Sequence, residues 1–360
     1  MFTTADHEHM ARALRLAERG LYTTSPNPRV GCVLVKGEAV VGEGWHEKAG
    51  GPHAEVRALE QAGANARAAS AYVTLEPCNH HGRTPPCVDA LLAAGVARVV
   101  AAMPDPDTRA GGGLARLAAA GVEVACGLLD AEARELNIGF VSRATRGRPW
   151  VRAKLAASLD GKTALNNGAS RWITGAEARR DGHRWRARAC AVLTGIGTVL
   201  DDDPQLNVRE IETPRQPLRV VVDSKLEIAA TAKILDGGGT LIAAAQDLPD
   251  KARALRERGA EVVTLPNAAG KVELSGLLRE LARREVNEVH VEAGFKLNGS
   301  LLREGCVDEC VFYLAPCLLG DAAQGMFNVP ELTDLADRRV LAVRDVCMVG
   351  GDLRVVARLG

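Results

Sequence analysis

Hydrophobic and polar positions follow two different periods along the first 140 residues. Apolar residues recur with helical spacing over 9–19 and in the Ala-rich stretch 53–68, whereas short apolar runs bounded by turn residues are typical of strands. The predicted strands are 30–35, 39–42, 71–75, 96–102 and 122–125, and further helices are predicted at 86–94 and 113–120. This alternation of strands and helices predicts a three-layer α/β domain with crossover helices.

The pattern restarts after a polar, basic segment. Residues 142–149 include Gly147 and Pro149, which favours a linker. Beyond it, strands are predicted at 151–157, 190–194, 218–222, 240–244, 261–264, 288–292 and 309–314, with helices near 175–188, 250–258, 273–284 and 298–304. The chain of 360 residues is therefore expected to form two α/β domains, 1–145 and 146–360.

Composition narrows the classes of partner. The chain has 45 Lys and Arg against 45 Asp and Glu, and its aromatic content is 3%, whereas nucleic-acid binding favours a basic excess and stacking side chains. No apolar run is long enough to cross a bilayer, and the first residues lack the pattern of a signal peptide. The nine cysteines are scattered, so we expect reduced thiols, a cytoplasmic protein, and neither membrane nor nucleic-acid binding.

Residue types that bind metals are grouped in the first half. His53, Cys78 and Cys87 could supply the three protein ligands of a catalytic zinc, whose fourth position stays open for water. Glu55 follows His53 by two residues and could move the proton of that water. A proline precedes each cysteine, and if each cysteine opens a helix, the helix dipole would favour its thiolate.

This grouping matches most of a known signature, H-x-E followed by P-C-x-x-C, of zinc nucleobase deaminases. The spacing departs from it, because eight residues separate Cys78 from Cys87 instead of two. That insert carries two histidines and an arginine, which suits a phosphorylated or highly polar substrate better than a bare base.

Two other interpretations stay open at this point. His80 or His81 could be the fourth ligand of a structural zinc, although Glu55 at a proton-transfer position argues against this. Alternatively there is no metal, and the cysteines are small buried apolar residues. The other cysteines show no partner spacing and are expected in the core: Cys32, Cys126, Cys190, Cys306, Cys310, Cys317 and Cys347.

Several segments then carry a family resemblance that covers nearly the whole chain. Leu-Glu-Pro-Cys-Asn-His-His-Gly-Arg-Thr-Pro-Pro-Cys at 75–87 and Asn-Pro-Arg-Val-Gly at 27–31 resemble the cytidine/deoxycytidylate deaminase superfamily and, more closely, the bifunctional riboflavin-biosynthesis deaminase–reductases. Five further segments resemble the reductase half of that family: 154–162, 170–175, 195–200, 202–204 and 291–294.

The resemblance implies a cytidine-deaminase-like domain followed by a dihydrofolate-reductase-like domain. It also implies zinc, NADPH, and two successive reactions on a phosphorylated small-molecule pyrimidine. The first is hydrolytic deamination of a diamino-pyrimidinone that carries a phosphoribosylamino group, and the second is reduction of its ribosyl ring to a ribityl chain. A homo-oligomer is expected from the family. The positions that match the family's deaminase substrate site are Asn27, His46, His80 and Arg83.

In the second half the residues alone are less informative. There is no good Rossmann fingerprint, but 294–300 lies between a predicted strand and a predicted helix, where backbone N–H groups could meet a pyrophosphate. The resemblance implies these cofactor contacts: Ala156, Trp172, Thr198, Asp202, Gly294, Phe295, Lys296, Leu297, Asn298, Gly299 and Ser300. It implies these substrate contacts: Ser170, Arg186, Leu206, Arg209 and Glu292.

Lys154, Asp202 and Glu292 are the catalytic candidates of the reductase half. A placed acid could assist opening of the ribosyl ring before hydride transfer, and the sequence does not choose among the three. Each has a structural alternative: a surface lysine, an aspartate that caps a helix N-terminus before Pro204, and a glutamate on an edge strand.

Two rival functions are distinguishable. One is a nucleic-acid or free-nucleoside cytidine deaminase fused to an unrelated domain, which the zero net charge and few aromatics disfavour for nucleic acid. The other is a regulatory module that binds a nucleotide and in which zinc has only a structural role. For such a module, Glu55→Gln would change no measurable property.

Overall fold

The chain divides into two compact units, Met1–Gly147 and Arg148–Gly360. The computed structural model describes residues 1–82 and 85–360. The division lies two residues beyond 145, where the sequence pattern predicts the end of the first domain. Each unit has its own sheet and its own hydrophobic core.

The first unit is built on a mixed five-stranded sheet. Its elements are α1 (Thr4–Glu18), β1 (Gly31–Lys36), β2 (Ala39–Trp45), α2 (Ala54–Ala62), β3 (Ser70–Val73), α3 (Cys87–Ala94), β4 (Arg98–Ala101), α4 (Gly113–Ala119), β5 (Glu123–Cys126), α5 (Asp130–Leu136) and α6 (Ile138–Arg146). The strand order is β2-β1-β3-β4-β5, with β3, β4 and β5 parallel and β1 antiparallel to both of its neighbours.

Glycines allow helices to lie close against both faces of this sheet. A Cβ at Gly31 would lie 2.0 Å from the carbonyl oxygen of Ala13 in α1. On the opposite face, a Cβ at Gly44 would lie 2.4 Å from the carbonyl oxygen of Ala54 in α2. The predicted three-layer α/β arrangement is confirmed.

The predicted linker at 142–149 is wrong over most of its length. Helix α6 continues through Arg146, and Gly147 ends it with a φ of 66°. The polar, basic character of this stretch reflects the exposed side of a terminal helix, since Phe140 and Ser142 on its other side are buried.

The second unit is a larger α/β unit. Its elements are β6 (Trp150–Ser158), β7 (Lys162–Ala164), α7 (Ala176–Arg188), β8 (Ala191–Gly195), α8 (Ile196–Asp202), β9 (Leu218–Val222), β10 (Thr240–Ala244), α9 (Pro249–Glu257), β11 (Ala260–Thr264), α10 (Leu274–Arg283), β12 (Glu288–Val291), α11 (Phe295–Arg303), β13 (Glu309–Ala315), β14 (Gln324–Gly325), β15 (Leu341–Val349) and β16 (Asp352–Leu359). Short 3₁₀ helices cover Gly63–Ala66, Lys233–Leu235 and Leu335–Asp337.

Nine of these strands form one sheet in the order β11-β10-β9-β8-β12-β6-β13-β16-β15. The first seven strands in this order, β11 through β13, run parallel to their neighbours. At the other edge, β16 pairs antiparallel with both β13 and β15. The sequence pattern does not predict the hairpin β15–β16, because β15 is exposed over most of its length and lacks the apolar run of a buried strand.

A buried ionic network lies on one face of this sheet. Arg152 of β6 pairs with Glu309 and, at 2.9 Å, with Glu288, and all three side chains are almost fully buried. The guanidinium also lies 4.9 Å from the centre of the Trp185 ring in α7. Because an unpaired charge is costly in such surroundings, these partners must stay together for the face to fold.

The cysteines divide by environment. All nine lie within the described residues and are free. Cys32, Cys306 and Cys310 are buried as expected, but Cys126 and Cys317 are exposed, so the core assignment is wrong for those two. Cys126 is the last residue of β5, an edge strand with little cover.

No helix of the described residues is both long and apolar enough to span a bilayer.

Gly113 connects the packing of the first unit to the segment around Cys78. A Cβ at Gly113 would lie 1.8 Å from the carbonyl oxygen of Pro77, whereas one at Gly111 would meet only ordinary contacts of 3.7 Å or more. We therefore expect Gly113→Ala to lower the free energy of unfolding by about 3 kcal/mol, through overpacking against backbone. Urea denaturation measures the effect, and Gly111→Ala is the matched control. Equal stability of the two variants would contradict this packing.

Candidate active sites

Three elements bring together the donor atoms in the first unit. His53 is the N-cap of α2, Cys87 is the first residue of α3, and Cys78 lies in the segment after β3. His53 Nδ1 lies 3.1 Å from Cys87 Sγ and 3.6 Å from Cys78 Sγ, and the three donor atoms lie within 4.8 Å of one another.

Only one of the two cysteines opens a helix. The expectation is right for Cys87 and wrong for Cys78, because backbone hydrogen bonds hold the segment around Cys78 in a non-helical form. Glu76 N donates to Met103 O at 2.9 Å, and Asn79 N donates to Ala110 O at 3.0 Å. The N-terminus of α3 still serves both cysteines, since the Cys87 backbone N–H donates to Cys78 Sγ at 3.3 Å.

The two thiols differ in acidity. The hydrogen bond from Cys87 lowers the pKa of Cys78 to about 4, and His53 acts in the same direction. The thiolate of Cys78 and burial raise the pKa of Cys87 well above its usual range. The pair therefore holds one proton and one negative charge, and a cation that binds both sulfurs would displace the remaining proton.

The donor set fits zinc, which is typically bound by imidazole nitrogen and thiolate sulfur. His80 and His81 are exposed, and within residues 1–82 and 85–360 neither joins the cluster of possible metal ligands. The four-ligand structural site considered from the sequence therefore has no support in this geometry. Three protein donors leave one position of a tetrahedral ion for water.

Glu55 lies beside this cluster rather than within it. It is the second residue of α2, its side chain is buried, and it forms a hydrogen bond with Cys87. Burial raises the pKa of the Glu55 carboxyl, although His53 opposes the shift. A carboxyl group with a raised pKa is suited to accept a proton and return it.

Asn27 and His46 adjoin the same cluster. His46 Nδ1 lies 3.1 Å from Pro52 O and therefore donates, which leaves Nε2, 3.0 Å from Asn27 Nδ2, as an acceptor. The ring of His46 is 5.3 Å from that of His53, and burial lowers the pKa of His46, which keeps it neutral. His80 is exposed after Cys78, and the remaining predicted substrate residue, Arg83, lies outside the described residues.

In the second unit, most of the predicted residues line one cavity of about 1150 Å³. It lies at the carboxyl ends of β6, β8 and β12, where ligands of α/β sheets commonly bind. The predicted residues among its lining are Lys154, Ala156, Ser170, Trp172, Arg186, Thr198, Asp202, Leu206, Arg209, Glu292, Gly294, Phe295 and Asn298.

Four predicted cofactor residues do not line this cavity: Lys296, Leu297, Gly299 and Ser300. Helix α11 begins at Phe295 rather than at 298, so these residues turn with the helix instead of following a loop. A Cβ at Gly299 would lie 2.1 Å from Asn328 O, and the Ser300 hydroxyl donates to Lys296 O at 3.2 Å. Gly299 therefore serves close packing against the segment at 328.

Glu292 directly follows the central strand β12, so the edge-strand alternative is wrong. Its carboxylate forms two hydrogen bonds with Arg186, one of 2.9 Å and one shorter, and it lies 3.5 Å from His290 Nε2. Burial acts to raise the pKa of Glu292, but Arg186 and His290 outweigh it and hold the pKa well below its usual range. Glu292 is therefore a carboxylate throughout the neutral range.

Lys154 is half-buried and lines the cavity, so it is not a simple surface lysine. Its Nζ lies 5.7 Å from the centre of the Tyr313 ring. Burial lowers the pKa of Lys154, an effect that Glu292 opposes and Arg186 reinforces. Asp202 is the last residue of α8 and pairs with Arg171, so it does not cap a helix N-terminus.

The cavity is also lined by three residues that the sequence did not indicate: Arg171, Arg179 and His183. Arg179 Cζ lies 4.6 Å from the centre of the exposed Trp172 ring. Arg179, His183 and Arg186 follow one another at intervals of four and three residues on α7, which puts them on one face of the helix. That spacing, extended backwards from Arg186, is the signal that could have found them.

Comparisons with known proteins identify the family of each unit. Residues 3–103 match the family model of the cytidine and deoxycytidylate deaminase zinc-binding region, and residues 149–349 match that of the RibD C-terminal domain. The riboflavin biosynthesis protein RibD of Escherichia coli K12 is 47% identical, over 97% of this chain and 98% of that protein. The RibD of Aquifex aeolicus is 43% identical, over 94% of this chain and 96% of that protein.

Solved structures are similar over both units. A structure of Acinetobacter baumannii RibD matches with a TM-score of 0.91 and 42% identity, and covers 99% of each chain. A Thermotoga maritima protein, described as a diaminohydroxyphosphoribosylaminopyrimidine deaminase/5-amino-6-(5-phosphoribosylamino)uracil reductase, matches with a TM-score of 0.87 and 32% identity, and covers 99% of each chain. The chain belongs to the RibD family of bifunctional riboflavin-biosynthesis enzymes, with a zinc-binding deaminase domain followed by an NADPH-dependent reductase domain.

Proposed function

We propose that this chain deaminates 2,5-diamino-6-(5-phosphoribosylamino)pyrimidin-4-one and then reduces the ribosyl group, which yields 5-amino-6-(5-phosphoribitylamino)uracil. Residues 1–145 carry the deamination and residues 146–360 the reduction. The proposal rests on two features that occur in one chain. The first is a His/Cys/Cys cluster of three donor atoms beside a buried glutamate, and the second is a separate cavity of about 1150 Å³.

In the deaminase unit, His53, Cys78 and Cys87 hold zinc. When bound, zinc activates water for attack on the ring carbon that carries the amine. Glu55 accepts the proton of that water and returns one to the departing ammonia. Asn27 and His46 bind the pyrimidine next to the metal, while His80 and Arg83 contact its phosphoribosyl portion. The hydrogen bond between Asn27 and His46 supports this, because it gives both side chains a defined orientation.

Glu55→Gln tests the proton transfer. The amide keeps the size of the side chain but cannot accept the proton, so we expect ammonia release to fall by at least about 10²-fold. Zinc content should stay at that of the wild type, since Glu55 is not a ligand, and pre-deaminated substrate should still be reduced. Glu60→Gln, at an exposed position of the same helix, is the matched control. Loss of zinc from the Glu55 variant would contradict the assigned role.

In the reductase unit, NADPH supplies the hydride when bound. The N-terminus of α11 fits its pyrophosphate, because Gly294 lines the cavity and no described side chain caps this helix end. Ala156, Trp172, Thr198 and Asp202 contact the cofactor together with Gly294, Phe295 and Asn298, and the first turn of α11 presents the free N–H groups. Ser170, Arg186, Leu206, Arg209 and Glu292 contact the substrate.

Among the three catalytic candidates, Lys154 is best suited to donate the proton that opens the ribosyl ring. Glu292 stays ionised beside Arg186, and Asp202 is paired with Arg171. Lys154 has no hydrogen bond to any described protein group, and burial brings its pKa down from its ordinary value. The ring oxygen takes the proton as its bond to the anomeric carbon breaks, and hydride then reduces the resulting imine carbon.

Lys154→Ala should lower the rate of reduction by about 10²-fold or more and leave deamination unchanged. Lys271→Ala, at an exposed lysine, is the control. Single-turnover oxidation of NADPH with pre-deaminated substrate measures the rate. Reduction at the full rate in the Lys154 variant would overturn the assignment.

The pH dependence of reduction gives a second test of Lys154. An acid must be protonated, so the rate should fall as pH rises through the pKa of Lys154. Glu292→Gln removes the negative charge that favours the ammonium, which lowers that pKa further. The falling limb should therefore move to lower pH in the pH–rate profile. A movement to higher pH would contradict the coupling.

We also infer that the protein forms a homo-oligomer through the edge strand β15. A bulge between Val343 and Asp345 shifts the pairing with β16, so that Leu341, Val343, Val346 and Met348 face Leu359, Ala357, Val355 and Leu353. These partners are spaced by two residues, so the four β15 side chains share one face, and all four are exposed. An exposed apolar stripe on an edge strand favours association with a second copy.

Replacing both Val343 and Val346 by Glu should shift the protein toward monomer, because association would bury two unpaired carboxylates from each copy. Sedimentation velocity measures the change, and Arg339→Glu is a control at an exposed position outside the stripe. An unchanged sedimentation coefficient in the double variant would contradict this interface.

We place the protein in the cytoplasm, acting on small molecules and without a nucleic-acid or membrane partner. The nine free cysteines support a reducing compartment, since thiolate ligands at Cys78 and Cys87 would be open to oxidation elsewhere.

A further inference from the structure

His183 has no part in the function proposed above, yet it lines the same cavity as the proposed substrate residues. It is buried, with 4% of its surface exposed, and it lines the cavity together with Arg186 and Arg209. Helix α7 carries both His183 and Arg186, and Arg209 follows in the segment after α8.

One hydrogen bond defines the state of the imidazole. The backbone N–H of Arg209 donates to His183 Nδ1 at 3.4 Å. The neutral ring must then carry its hydrogen on Nε2, because Nδ1 accepts. No protein group among the described residues accepts a hydrogen bond from this Nε2–H, which leaves a donor available to a ligand in the cavity.

The charges around His183 keep it neutral. Burial lowers the pKa of His183 to about 4, Arg186 and Arg209 act in the same direction, and Glu292 and Glu210 oppose them. Glu292 is largely neutralised by its pair with Arg186, so the net field at the ring is positive. A positive field around an unused N–H donor favours an anionic ligand.

Three of the five N–H donors of Arg186 are already in use. Its Nε and one terminal nitrogen bind Glu292, and the other terminal nitrogen donates to Asn207 O at 2.9 Å. Arg209 is exposed and keeps most of its donors, with one long bond of 3.3 Å to the Asn207 side chain. An anion at this place would therefore receive most of its hydrogen bonds from Arg209 and His183, because Arg186 has only two N–H donors left to add to its charge.

We propose that His183 binds the phosphate group of the reductase substrate, donating a hydrogen bond from Nε2 beside the guanidinium of Arg209. The inference rests on the proposed function and adds a specificity-determining residue to it. A neutral donor suits this position, since it adds a hydrogen bond without a third positive charge next to Arg186 and Arg209. The imidazole also ties the phosphate site to the backbone of Arg209, which orients that side chain.

The contact is tested by removing the hydrogen-bond donor from the protein and, in separate measurements, the phosphate from the ligand. The ligands are the product, 5-amino-6-(5-phosphoribitylamino)uracil, and its dephosphorylated form, and dissociation constants are measured by calorimetry with the wild type, His183→Leu and His183→Gln. We expect His183→Leu to weaken binding of the phosphorylated product about tenfold, the value of one hydrogen bond to a charged group. Binding of the dephosphorylated form should be unchanged.

The second variant separates a lost hydrogen bond from lost packing. His183→Gln keeps a side-chain N–H donor and should bind the phosphorylated product within about twofold of the wild type. Arg180→Gln, at an exposed position of the same helix, is the matched control. The urea midpoint of each variant, compared with that of the wild type, reports whether the reductase unit is folded.

The ring itself provides a readout independent of activity. Nitrogen NMR of histidine-labelled protein should show the Nε2–H tautomer of His183, and saturating inorganic phosphate should raise its pKa, because a bound anion favours the imidazolium. Equal weakening of both ligands in His183→Leu would assign His183 to another part of the substrate and overturn the proposal. So would unchanged binding of the phosphorylated product. If the wild type bound neither ligand, the proposed function itself would fail.

Discussion

The pairing of buried charges is the constraint on which both units depend. In the reductase unit, Arg186 keeps Glu292 ionised at the end of a central strand. Glu292 in turn favours the charged form of Lys154, whereas Arg186 disfavours the charged form of His183. In the deaminase unit, a thiolate at Cys78 is stabilised by a neighbouring thiol, an imidazole and the N-terminus of α3. Each arrangement keeps one group ionised in surroundings that would otherwise neutralise it, and thereby sets the protonation of its neighbours.

Backbone geometry determines which side chains meet. His53 and Cys87 stand at the N-termini of two helices that pack together, while Cys78 is anchored by hydrogen bonds to the segments that follow β4. Buried Glu76, which the sequence analysis did not single out, accepts N–H bonds from Asp105 and Leu114, both at 3.1 Å, and so joins the same segments. The metal-binding geometry is thus a product of helix ends and loop anchoring rather than of the cysteines alone.

Local signals in the sequence predict much of this arrangement. The spacing of His53, Cys78, Cys87 and Glu55 is enough by itself to indicate zinc chemistry, and buried strands such as β8 and β9 are evident as apolar runs. What sequence reasoning could not supply depends on tertiary contacts. Helix α11 begins three residues earlier than predicted, and the polar end of helix α6 has the composition of a linker. The helical spacing from Arg186 is the one signal that the sequence gives for His183, and it does not show a role, because that role depends on the cavity that His183 lines.

A single assay on the purified chain can follow both reactions of the two units. Zinc per chain is determined, the phosphoribosylamino-pyrimidinone substrate is added, and ammonia release and NADPH oxidation are followed together. We expect one zinc per chain, ammonia release without NADPH, and NADPH oxidation that begins only after deamination. Zinc without ammonia release, or NADPH oxidation that precedes it, would contradict the assignment of two successive reactions to the two units.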